Sequence, residues 1–184
     1  MLKDAGVSFE VEPASVDEDA VKDSLLAEGV EPGGVADALA ELKAVRISAK
    51  HGNNALVLGA DQVLSFEGEL ISKMPDMPAA RALLKRLSGK RHELISAAVL
   101  ARNGAPVWRH SGRVRLSMRP LSDKFLDDYL AQEGEGLLKG VGCYRLEGLG
   151  AQLFERVEGD YFSVLGLPLL PLLAQLRELG ELSA

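Results

Sequence analysis

One cysteine, one tryptophan and an aromatic content of 5% are what this sequence is shortest of. A lone Cys143 excludes an intramolecular disulfide, which fits a reducing compartment. Long apolar runs are missing too, and none approaches the ~20 residues a membrane span needs. The opening MLKDAGVSFE has no basic flank before an apolar core, so it does not read as a signal peptide. Positive charge is not in excess: 21 Lys and Arg stand against 27 Asp and Glu, a net charge of -6. That balance disfavours a non-specific grip on nucleic acid or anionic lipid, although a local basic patch can still hold one phosphorylated ligand. His51, His92 and His110 are too far apart for metal-ligand spacing. There is no Gly-x-Ser-x-Gly, no Walker-type Gly-Lys-Ser/Thr and no dinucleotide fingerprint opening a helix. The chain is expected to be cytoplasmic, with neither nucleic acid nor membrane as partner.

What remains is ordinary globular composition, 47% hydrophobic over 184 residues, enough for a core in one domain or two small lobes. Helical and strand patterns alternate. Val7 to Val11 reads as a short strand and Val21 to Ala27 as a short helix ended by Gly29. Pro32-Gly33-Gly34 reads as a break. Val35 to Lys50 is an amphipathic helix with Val35, Leu39, Leu42, Val45 and Ala49 on one stripe, stopped by Gly52 and Asn53. Ala55 to Phe66 is a nearly continuous apolar run, as in a strand covered on both faces. Glu67-Gly68-Glu69 turns it back onto Leu70-Ile71.

Asp76 is placed to cap a helix buried through Ala80, Leu83, Leu84 and Leu87 and closed by Gly89. Asn103-Gly104 predicts a hairpin between strands 93–102 and 107–118. Ser122 starts a helix to Ala131. Gly134 to Gly150 holds six glycines and reads as a loop. Ala151 to Val157 reads as a strand, and Leu169 to Leu179 as a last helix closed by Gly180. The class is α/β, a sheet flanked by helices.

The chemistry centres on Leu58-Gly59-Ala60-Asp61-Gln62-Val63-Leu64, where a carboxylate and an amide interrupt a buried strand. A buried carboxylate needs a cation, a metal or a ring of donors, or it bonds a neighbouring turn. Lys43, beside the apolar stripe of its helix, and Lys73, after the hairpin, are point charges suited to phosphate, or else snorkelling surface lysines. The segment Gly140 to Gly148 lets backbone N–H groups approach a ligand, or is a plain surface loop. Cys143 reads as a packed thiol. Lys85, Arg86, Lys90 and Arg91 read as a solvated helix end.

In order and spacing these pieces resemble the Maf family, also called septum formation inhibitor-like proteins. The matching residues run from Ala5-Gly6-Val7 with Phe9, through Val16-Asp17-Glu18, Leu42-Lys43-Ala44 and Gly59-Ala60-Asp61-Gln62. They continue through Lys73, Leu87-Ser88-Gly89 with His92, Glu147-Gly148, Glu158-Gly159-Asp160-Tyr161 and Val164-Leu165-Gly166-Leu167-Pro168. The resemblance implies a two-lobed α/β fold, a mixed sheet flanked by helices with a cleft between the lobes, and a homodimer is compatible with it. It implies a nucleoside triphosphate as substrate, cut to the monophosphate and pyrophosphate with a divalent cation, Mg2+ or Mn2+. Asp61 is then expected as metal ligand or general base with Glu18 as its partner, Lys43 and Lys73 on phosphate oxygens, and Gln62 and Glu147 on the base or on water. Gln and Glu at those two places match the branch that favours 7-methyl-GTP over UTP and dTTP.

The resemblance also sets two departures. The family begins with a strand and a Ser-x-Ser-x-x-Arg loop, so residues 1–184 are expected to form one Maf-like domain without that loop. From this follows an alternative function, a catalytically impaired nucleotide-binding or division-regulating protein. Met74 stands where proline follows the motif lysine, with Pro75 one place later, which is expected to shift that loop.

Overall fold

A computed structural model describes residues 1–51 and 54–183. Its elements in chain order are α1 (Glu18–Ala27), α2 (Pro32–Lys50), β1 (Val57–Phe66), β2 (Glu69–Ile71), α3 (Met77–Leu87) and β3 (Arg91–Arg102). They continue with β4 (Ala105–Met118), α4 (Asp123–Glu133), β5 (Phe154–Glu158), α5 (Tyr161–Val164) and α6 (Leu169–Glu178). The strands form one five-stranded sheet in the order β2-β1-β3-β4-β5, and every pairing among the described strands is antiparallel. The expected α/β sheet flanked by helices is present. No helix among the described residues is long and apolar enough to cross a membrane.

Local signals explain most boundaries. Asp76 and Ser122 accept hydrogen bonds from the Ala79 and Phe125 amides and cap α3 and α4. Glu67-Gly68 and Asn103-Gly104 have positive φ at both positions, as two-residue hairpin turns of the I′ type require. Helix α1 starts three residues earlier than the hydrophobic pattern suggests. Asp17 caps it, with its Oδ1 3.1 Å from the Ala20 amide, and Glu18 and Asp19 suit the positive end of the helix.

Four expectations are corrected. Residues 7–11 form no strand, because no described strand runs beside them to supply ladder hydrogen bonds. Pro32-Gly33-Gly34 is not a break but the first turn of α2, where proline's fixed φ and missing N–H cost nothing. The buried stripe of α2 is Val35, Ala36, Leu39, Ala40, Ala44 and Ile47, while Leu42 and Ala49 are exposed. Small residues at Ala36, Ala40 and Ala44 let the helix sit close to the sheet, which rotates the stripe away from Leu42. The glycine-rich stretch is more ordered than a loop and contains two 3-10 turns, Gly134–Lys139 and Leu149–Leu153. Gly52 and Asn53, the expected stop of α2, lie outside the described residues.

The central strand β3 is buried on both faces, as its apolar sequence demands, while β4 exposes alternate residues. Helix α2 covers one face through Ala36, Ala40 and Ala44 against Val63, Ile95, Ala97 and Val99. Helix α6 covers one end of the opposite face through Leu169, Leu172 and Leu176 against Ala98 and Leu100. Helices α3 and α4 cover its other end with Leu84, Leu87, Leu126 and Leu130 against Leu64, Phe66, Leu94 and Leu116. Strand β1 therefore threads three clusters, Ala60 in one, Val63 in the next and Leu64 in the third. Asp61 and Gln62 sit at the change-over between them.

Candidate active site

Strand geometry decides which way these two residues look. Successive side chains point to opposite faces, so Asp61 looks toward α2 and Gln62 away from it. The Asp61 carboxylate meets Lys43, with Nζ 2.7 Å from Oδ1. The same Nζ lies 2.7 Å from Oε1 of Glu18, at the start of α1. One ammonium thus joins three elements, Glu18 from α1, Lys43 from α2 and Asp61 from β1.

Lys43 is half-buried beside the buried stripe of α2, one turn from Ala40 and next to Ala44. That position explains why only its head reaches the carboxylates. The approach is made possible by Gly59, since a Cβ there would overlap the Ala40 carbonyl and come within 2.6 Å of the Ala44 nitrogen.

The three charges tune one another. Burial pushes the Asp61 carboxyl above the ordinary aspartate value, and Lys43 offsets only part of that. Burial also works against the charge on Glu18, but the bond to Lys43 and the positive charges of Lys43, Lys22 and Lys73 prevail and hold it below its ordinary value. Burial of Lys43 is likewise outweighed by its bonds to Asp61 and Glu18, so its ammonium is held above the ordinary lysine value. The aspartate is only 9% exposed.

Glu18 stands on the wall between two cavities. The smaller, about 440 Å3, is polar and has Glu18, Lys22, Ser72 and Lys73 around it. The larger, about 1090 Å3, runs past Glu18 and Lys43 along the first half of β1, with Phe9, Leu56 and Leu58 on its walls. Lys73 is exposed at the smaller cavity, and Met74 beside it packs against the core, which anchors the loop that carries the lysine. Lys22 is the residue that sequence reasoning missed. It sits one turn after Glu18, 3.9 Å from its carboxylate and 3.4 Å from Asp19. Once Asp17 is seen as the cap, the i, i+4 spacing of Glu18 and Lys22 signals their pairing.

Two of the expected site residues make no hydrogen bond or ion pair with this cluster among the described residues. The Gln62 amide nitrogen donates to Ser96 Oγ at 2.9 Å and to the Ser163 and Val164 carbonyls at 2.9 and 3.1 Å. It pins α5, a short helix with no sequence signal beyond its Asp160 cap. Glu147 is exposed on a turn and has no hydrogen-bond or ion-pair partner among the described residues.

The loop that carries Glu147 is nonetheless firmly held. Arg145 makes a two-pronged bond to Glu133, Nη2 at 2.5 Å and Nε at 3.1 Å. Three residues before Glu147, Tyr144 places its hydroxyl 2.7 Å from His92 Nε2 in the core. His92 is buried with Nδ1 unpartnered among the described residues, and burial pushes its pKa down from 6.5 to about 4.

That burial sets a pH dependence. The unfolded chain takes up a proton on His92 below about 6.5 and the folded chain does not, so acid favours unfolding. The full stability is present above pH 6.5 and is lost as pH falls toward 4, by about 3 kcal/mol. Urea unfolding at pH 7.5 and 4.5 should show a smaller acid loss for His92→Leu than for the parent chain. An equal loss would contradict the assignment.

No group of three or more His, Cys, Asp and Glu among the described residues converges as a metal cage. Glu18 and Asp61 do converge, on one point, and offer the hard oxygen donors that Mg2+ or Mn2+ prefers. Mg2+ is ordinarily held by one or two carboxylates completed by water and substrate phosphate, so the pair fits such an ion without a full protein shell.

The model of the family described as Maf-like protein matches residues 1–179. The chain belongs to the Maf family. A nucleoside triphosphate pyrophosphatase of Caulobacter vibrioides is 53% identical over 183 residues, 100% of this chain and 91% of that protein. One of Paramagnetospirillum magneticum is 53% identical over 182 residues, 99% of this chain and 93% of its own length. A 7-methyl-GTP pyrophosphatase of Rhizobium meliloti is 50% identical over 184 residues, 100% of this chain and 92% of that Maf relative.

Proposed function

We propose that this chain hydrolyses a nucleoside triphosphate to the monophosphate and pyrophosphate, with 7-methyl-GTP preferred over UTP and dTTP. The observation that carries the reading is the Glu18–Lys43–Asp61 cluster beside a cavity bordered by Lys22 and Lys73. Similarity along almost the whole length to pyrophosphatases of nucleoside triphosphates supports it.

The chemistry follows from the charges. Lys73 and Lys22 line the smaller cavity and act as point charges for phosphate oxygens, as does Lys43 once it turns to the substrate. Water adds to the α-phosphorus, the bond from that phosphorus to the bridging oxygen breaks, and pyrophosphate leaves with the electron pair. The proton lost by the water goes to a carboxylate of the cluster. A divalent cation held by Glu18 and Asp61 would supply charge neutralisation on the phosphates.

Glu147 is the base contact in this reading. Methylation at N7 puts positive charge on the guanine, and its Watson–Crick edge presents N–H donors, so an unpaired carboxylate complements both. Gln62 acts at one remove, by holding α5 on the sheet behind Asp61. The resemblance extends the proposal to a cytoplasmic house-cleaning role, a homodimer and a link to septum formation.

The test is pyrophosphate release across 7-methyl-GTP, GTP, UTP, dTTP and ATP, with Mg2+ or Mn2+. The parent chain should peak on 7-methyl-GTP, and Glu147→Gln should change the ranking more than the maximal rate on a poor substrate. A peak on UTP or dTTP would reject the specificity, and an unchanged ranking would reject the role of Glu147.

A further inference from the structure

The position between Glu18 and Asp61 is already taken. An ammonium 2.7 Å from an oxygen of each carboxylate occupies the space a small divalent ion would need. Cation and ammonium therefore exclude each other there by size and by charge. Neither of the other lysines stands in this position, since Lys22 approaches only the Glu18 side at 3.9 Å and Lys73 is exposed.

We infer that Lys43 keeps the cation position closed in the free protein, and that a triphosphate opens it by drawing the ammonium away. This rests on the pyrophosphatase reading for the identity of the ligand. The Lys43 ammonium cannot simply leave. Among the described residues it is the hydrogen-bond partner of a nearly buried Asp61, and an unpaired buried carboxylate is costly. Nor can a divalent ion simply enter, because the displaced ammonium would lose both carboxylates and face the incoming charge.

A triphosphate removes both obstacles. Lys43 already lines the larger groove, and its head is carried on a flexible four-carbon stem from a fixed helix. Phosphate oxygens in that groove would give the ammonium new acceptors and leave Glu18 and Asp61 free to hold a cation. Metal and nucleotide are then coupled positively, and by linkage each raises the affinity for the other.

Mn2+ binding to the full chain, read by the electron spin resonance of the free ion with no nucleotide present, separates the possibilities. Lys43→Met should bind Mn2+ about tenfold or more tightly than the parent chain, because its carboxylates have no competitor. Lys22→Met should change the affinity by less than about threefold, since its charge is farther away and approaches Glu18 alone, at 3.9 Å. Lys43→Gln, which keeps a hydrogen-bond donor for Asp61, provides the same comparison should Lys43→Met fail to fold. A non-hydrolysable α,β-methylene triphosphate should tighten Mn2+ binding more in the parent chain than in either Lys43 variant.

Equal Mn2+ affinity in the parent and both Lys43 variants would overturn the inference, as would no binding by any of them. Turnover by the parent chain with unchanged Mn2+ affinity in the variants would sink this gate and leave the pyrophosphatase. Tighter Mn2+ binding in a chain that releases no pyrophosphate would keep the gate and sink the activity.

Discussion

Asp61→Asn should lower pyrophosphate release from the preferred nucleotide by about a thousandfold or more, with little loss of thermal stability. The substitution keeps the shape and removes the charge. Without that charge the cluster has no buried carboxylate to take a proton or to help hold a cation. Folding is spared because Lys43 still has Glu18 at 2.7 Å. It is spared also because burial already disfavours the charged form of Asp61, so a neutral amide relieves a cost. A steady-state assay beside a thermal melt reads both quantities. Activity within tenfold of the parent would remove Asp61 from the chemistry.

Gly59→Ala should destabilise the chain by about 3 kcal/mol, a fall in melting temperature of about 10 °C. The added methyl would press on backbone at Ala40 and Ala44, and backbone cannot turn aside as a side chain can. To fit, α2 must lift from β1, and Lys43 rides on α2 between those contacts. Turnover should therefore fall by more than the population of folded protein does. Melts and kinetics on the same preparation test this. A melting temperature within 2 °C of the parent would show that the contact is not as tight as the structure has it.

How much of this was legible in the sequence depends on the range of the interaction that decides it. Caps and turns are local, so Asp76, Ser122 and Asn103-Gly104 could be read directly. The face of α2 could not, because alanine carries little hydrophobic signal. Its burial comes from fitting against Gly59 across the helix–strand contact. Residues 7–11 have strand-like composition, but a strand needs a neighbour, which composition does not report.

The site was legible as a set of residue types rather than as a geometry. A carboxylate in an apolar strand marks Asp61, and the helix pattern nearly places Lys43. Their meeting, and that of both with Glu18, joins three elements and had to be seen. Gln62 shows the limit most clearly. It adjoins Asp61 in sequence, yet the two-residue period of a strand turns it to the other face, where α5 takes up its amide.

The central claim is that water attacks the α-phosphorus of a nucleoside triphosphate at the Glu18–Lys43–Asp61 cluster. Turnover of 7-methyl-GTP with Mg2+ in water enriched in oxygen-18, read by mass spectrometry, addresses it most directly. The account predicts one labelled oxygen in the nucleoside monophosphate and none in the pyrophosphate. Label in the pyrophosphate, or orthophosphate as the released product, would contradict it.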